Sequence, residues 1–224
     1  MRKLFQFGGL AAGAILIAFG IAAIVLSVNG RSTVNNSLKQ EQIVGSADFT
    51  PAGIRAVAAK AGNGNKNLPF PTCSLAGVTV TNGPTARCFA QYMQIDTLDA
   101  TGGFYFSQMG IYSAKAGAPK AQLLPGGGTD NAAYALIDPT TKQPVQNGAR
   151  SIWVEETGLT TALNTAYMAS RLALFGIVVG IALLLSGFGF AILAIGGALR
   201  NPEGSLLFGR AEPKVVVPTP VPTV

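Results

Sequence analysis

Residues 172–199 read LALFGIVVGIALLLSGFGFAILAIGGAL, and residues 7–28 read FGGLAAGAILIAFGIAAIVLSV. Neither stretch holds a charged side chain. At a 1.5 Å rise per residue, about 20 apolar residues cross the ~30 Å hydrocarbon core of a bilayer. Each run is therefore long enough to span. The expected fold is a mainly α membrane protein with spans over 7–28 and 172–199. Residues 29–171 form a small, mostly helical domain with short strands, joined to both spans by helical stalks.

Composition agrees with that division. Charged residues make up 12% of the chain, about half of the ~25% usual in soluble domains. The net charge of +6 invites a nucleic-acid reading, but its distribution opposes one. Between the spans lie 11 Lys/Arg and 8 Asp/Glu, a difference of +3, with no basic run of the kind phosphate binding uses. No nucleic-acid partner is expected. Arg2, Lys3 and Arg200, with Arg210 and Lys214, read instead as membrane-interface flanks. They favour a cytoplasmic N-terminus over 1–6 and a cytoplasmic, disordered Pro-rich tail over 200–224. Arg31, Lys39, Arg150 and Arg171 on the other side make that bias slight. An apolar run of about 21 residues exceeds the 7–15 of a cleaved signal peptide, so the first span is expected to stay as an anchor.

The two cysteines, Cys73 and Cys88, both fall between the spans. They are either two buried thiols or a disulfide, and the pairing is expected if the middle domain faces an oxidising compartment. A closed loop of about 15 residues contributes roughly 3 kcal/mol on the chain-entropy account.

Small residues mark one face of each span. Gly9 and Gly13 form a GxxxG continued by Ala14, Ala18 and Ala22, and Gly176 and Gly180 form a second, followed by Gly187 and Gly189. Such faces let helices approach closely in lipid, where packing drives association. The partner is the other span or another copy. Past the first span, Val34 and Leu38 continue a helical pattern for about three turns. Before the second, Leu159, Leu163 and Tyr167 recur at spacing four with no Pro to interrupt them. Trp153, Tyr167 and Arg171 read as interfacial anchors or as stalk packing. Thr50-Pro51 starts a short helix that stops at Gly62, and Pro84 opens another that ends at Gly102-Gly103. Leu75–Thr81 alternates as a short strand, Thr129-Asp130 caps a helix through Leu136, and Asp138-Pro139 is a turn.

The chemistry is bounded mainly by what the chain lacks. There is no histidine, so Ser-His-Asp and Cys-His nucleophile systems cannot be assembled. Two cysteines cannot make a four-thiolate zinc site, and no cofactor or P-loop motif occurs. Asp96 and Asp99 share a helix face and Glu155-Glu156 are adjacent. They read as an acid/base pair or, more simply, as solvated helix surface.

Several segments together resemble a family of actinobacterial two-span membrane proteins. They are Arg31-Ser-Thr-Val34, Leu38 to Gly45, Pro71-Thr-Cys73, Ala86-Arg-Cys88, Ala100 to Gly103, Asp138-Pro139, Ile152-Trp153-Val154 and Thr161 to Thr165. The resemblance covers most of the chain outside the tail. Members are often labelled aromatic ring-opening dioxygenases, but a two-His-one-carboxylate iron site cannot be built here without histidine. The family implies no catalytic residue, and its cysteine pair matches Cys73 and Cys88. The expected function is a non-enzymatic accessory or structural protein of the cell envelope. It would present its middle domain outside the plasma membrane to a protein partner. The alternative is a homo-oligomeric channel or transport component.

Overall fold

The computed structural model describes residues 2–60 and 68–196, with side chains from Gln6 onward. Gly62, the last residues of the expected second span, Arg200 and the Pro-rich tail lie outside the described residues. Arg2 and Lys3 fall in the first turn of a helix whose side chains are described only from Gln6. Four α-helices order the chain: α1 (Arg2–Gln40), α2 (Pro51–Lys60), α3 (Gly83–Ala100) and α4 (Gly148–Gly196). Short 3-10 turns cover Phe106–Gln108, Lys120–Gln122 and Ala132–Tyr134. Helices α1 and α4 both reach a mean hydropathy of 2.6 over their most apolar window, which makes each long and apolar enough to cross a membrane.

The chain forms two compact units. The terminal unit joins Met1–Val25 to Gly176–Val224. Here the two helices meet through glycine. A Cβ on Gly13 would lie 2.9 Å from the Gly187 carbonyl oxygen, and one on Gly20 2.8 Å from that of Gly180. Such distances leave no room for a side chain, so the backbones touch directly. Gly13 and Gly20 are seven residues apart, as are Gly180 and Gly187. Seven-residue spacing keeps a seam on one side of a helix. A seam at spacing seven thus runs through Gly13 and Gly180, two of the four glycines expected to pack. Gly9 and Gly176 are half-buried on the same helices. Phe7, Phe19, Leu185 and Ile192 point outward, each more than 60% exposed, as a lipid-facing surface would be.

The central unit is Leu26–Phe175. Thr50 caps α2, accepting a 3.0 Å hydrogen bond at Oγ1 from the Gly53 N–H, with Pro51 as first residue. Asn82 caps α3: the Thr85 N–H donates to its Oδ1 at 3.0 Å, while Thr85 Oγ1 accepts from the Asn82 N–H at 3.1 Å. Helix α3 ends at Thr101, and Gly102 and Gly103 turn the chain at φ +66° and +82°, angles that favour glycine. The main core packs Leu38 of α1, Ile54 of α2, Phe89, Tyr92 and Ile95 of α3 and Leu163 of α4. A smaller core gathers Leu98, Met109 and Trp153.

No strand forms among the described residues. The expected strand at Leu75–Thr81 reduces to one bridge, Val44 to Thr79. Its partner segment offers only Ile43 and Gly45 for flanking bonds, and Gly77 turns the chain at φ +67°. The expected helix from Thr129 to Leu136 is a single 3-10 turn, with Asn131 as its cap. Isolated bridges tie the segment between α3 and α4: Tyr112 to Thr129 and Gln146, Ala114 to Ala135, and Ile137 to Pro144. Asp138 makes the expected turn, accepting from the Thr140 and Thr141 N–H groups at 2.8 and 2.7 Å.

Candidate functional site

Cys73 and Cys88 form a disulfide, with 6.2 Å between Cα atoms. Cys88 sits in α3 and is buried. Cys73 sits in the loop before it, and the Tyr92 hydroxyl donates to its carbonyl at 2.6 Å. Burial pushes the Tyr92 phenol above its ordinary range. Phe49 stacks on Tyr92 at 4.6 Å and meets Phe89 edge-on at 5.4 Å. The bridge therefore fastens an aromatic core rather than a reactive surface.

Trp153, expected as an interfacial anchor or as stalk packing, is held inside the central unit at 6% exposure. Its indole N–H donates to the Phe104 carbonyl at 2.9 Å, and Tyr105 stacks on it at 5.5 Å. Residue 153 also lies 19 helical positions before Leu172, about 28 Å along the axis. Tyr167 and Arg171 do lie next to the apolar run, with the Arg171 guanidinium 5.0 Å from the Tyr167 ring centre, a cation–π contact.

The acidic residues divide. Asp99 and Glu155 are exposed, as solvated surface requires. Asp96 and Glu156 are not. The Asp96 carboxyl is pushed up to about 6, first by burial and then by the charges of Asp48 and Asp99. Glu156 is 6% exposed, and burial raises its carboxyl above the usual range. It lines a polar cavity of about 290 Å³ with Arg87, Gln91, Gln94, Thr160 and Asn164. Arg87 donates to the Asn164 side-chain oxygen, Oδ1, at 2.7 Å across that cavity. The cavity offers hydrogen-bond donors and acceptors around one carboxyl, a lining suited to holding a small polar group. The Thr157 hydroxyl donates to the Glu156 carboxylate at 3.4 Å, at the long end of the hydrogen-bond range. Among the described residues no three His, Cys, Asp or Glu side chains converge as a metal site.

Further cavities lie between α1 and α4 in the central unit. One, of about 430 Å³, is mostly apolar and lined by Val34, Leu38, Ile43, Leu159 and Leu163 among others. The second, of about 130 Å³, sets the side chains of Arg31, Asn35, Asn82, Ser170 and Arg171 around a largely apolar lining and is closed on one side by the start of α3. Neither is legible from residue spacing, because each needs the register between helices distant in sequence. No protein-family model matches the chain, and comparison with curated proteins and with solved structures finds no match.

Proposed function

We propose that this protein is a non-enzymatic, two-pass accessory protein of the plasma membrane that holds a disulfide-stapled domain out to a protein partner. The observation that carries the reading is the continuity of the helices. Helix α1 runs unbroken over Arg2–Gln40 and α4 over Gly148–Gly196, so each apolar run continues without a break into a core helix of the central unit. The glycine seam of the terminal unit supports an anchor built within one chain.

The Cys73–Cys88 bridge supports placing the central unit in an oxidising, extracytoplasmic compartment. Both chain ends are then cytoplasmic, in keeping with Arg2, Lys3 and Arg200. The test is purification in mild detergent from the native membrane at native abundance, with the accompanying species identified by mass. A stoichiometric second protein is the expected result. Recovery as a discrete homo-oligomer alone overturns the accessory role in favour of a channel or transport assembly.

A further inference from the structure

The small cavity beside the second apolar run has a lining more apolar than polar but holds an unmet demand for hydrogen bonds. It is lined by Arg31 and Asn35 of α1, Asn82, Gly83 and Pro84 at the start of α3, and Ser170 and Arg171 of α4. Ser170 is 8% exposed and its hydroxyl oxygen has no hydrogen-bond partner; the Asn35 side-chain oxygen is likewise buried and unpartnered. Buried polar atoms without partners are costly, and they mark places where a ligand or water completes the bonding. Gly83 brings α3 hard against α4, since a Cβ there would sit 2.6 Å from Ser170 Oγ. The start of an 18-residue helix is thereby set against the cavity and brings its positive dipole end there, although Asn82 caps the Thr85 N–H and Pro84 has none to offer. Arg31 and Arg171 are exposed at the mouth, and neither has an acidic partner among the described residues.

Two guanidinium groups, a helix N-terminus and an unsatisfied hydroxyl donor converge, which is the chemistry of an oxyanion site. At about 130 Å³ the space matches roughly four waters, enough for one phosphate group and too small for an acyl chain. The unpartnered Asn35 oxygen calls for a donor beside that anion. Position selects the source. Arg171 immediately precedes the apolar run that starts at Leu172, Arg31 follows the one that ends at Val28, and Leu174 lines the cavity edge. We propose that this cavity binds the phosphate of an anionic phospholipid whose headgroup also carries hydroxyl donors, as phosphatidylglycerol does. The proposal rests on the two-span membrane reading.

The full chain, delipidated in detergent, is titrated with phosphatidylglycerol, phosphatidylcholine or inorganic phosphate and read by native mass spectrometry. One phosphatidylglycerol is expected to bind in preference to the other two. Arg31→Gln with Arg171→Gln should weaken it about 30-fold, each basic residue near an anionic surface contributing about fivefold. Ser170→Ala should weaken it several-fold, and Lys39→Gln, outside the cavity, should not. Trp153 fluorescence melting confirms that each variant is folded. Phosphatidylcholine binding as well as phosphatidylglycerol, or no loss in the arginine pair, overturns the proposal. So does inorganic phosphate binding as tightly as the lipid. Release of the native protein from membranes by alkaline carbonate would instead overturn the membrane reading itself.

Discussion

Removing the Cys73–Cys88 bridge should destabilise the central unit by an amount that the sequence separation sets. The cysteines are 15 residues apart, and the loop-entropy relation then gives about 10 cal/mol/K, or about 3 kcal/mol at 25 °C. The unit spans Leu26–Phe175; for a domain of that size each 1 kcal/mol moves the midpoint by about 2–4 °C. The Cys73→Ala, Cys88→Ala protein should therefore melt about 6–12 °C below the parent. Trp153 is the only tryptophan and belongs to the core around Leu98 and Met109. Its fluorescence reports this unit in the full chain in detergent. Wild type with a membrane-permeant reductant should shift by a similar amount. The Tyr92 bond to the Cys73 carbonyl survives both treatments, so the unit should still unfold in one cooperative step. Equal midpoints for oxidised and reduced protein, or two thiols that alkylate without reduction, would refute the reasoning.

Glycines should divide by position. Gly187→Val drives a Cβ to 2.8 Å from the Gly13 carbonyl oxygen and Gly180→Val to 2.9 Å from that of Gly20, whereas Gly189 has nothing within 4 Å. The first two variants should lower resistance to dissociation of the helix pair in SDS, measured by gel mobility and an engineered cross-link between the spans; Gly189→Val should leave both unchanged. For pH, the Asp96 carboxyl is raised from 3.8 to about 6, so folding favours its protonated form. That contribution is full below pH about 3.8 and is lost as pH rises through about 6. Asp96→Asn cannot ionise and should melt above wild type at pH 7, with the gap closing below pH about 4. Equal midpoints at pH 7 would count against the burial of this carboxyl.

Punctuation and apolar run length were the readable parts of this chain. Thr50-Pro51, Pro84 and Gly102-Gly103 bound α2 and α3 because caps and left-handed turns are local chemistry. The stalks were readable because no proline interrupts them. The strand at Leu75–Thr81 failed because pairing depends on a partner, and Val44 supplied one bridge. The same limit hid the candidate sites. Asp96 and Asp99 look alike in sequence, as do Glu155 and Glu156, and only packing against distant elements half-buries Asp96 and buries Glu156. Ser170 is one of many serines until Gly83 is placed against it.

The glycine seam also bears on how the molecule assembles. Gly20 and Gly180 are 160 residues apart in the chain, so bringing them together from an unfolded connection carries a length-dependent closure entropy of about 4.5 kcal/mol. The folded central unit removes most of that cost. Leu26 and Leu172, near its two ends, line one cavity of the same unit, so the folded unit holds its own ends together. At about 5–20 residues per second, the first apolar helix waits roughly 8–30 s for the second to be synthesised. During that interval its glycine face has no partner from its own chain. A lesion confined to the central unit, such as loss of the disulfide, is thus expected to appear also as impaired pairing of two helices whose own sequences are unchanged.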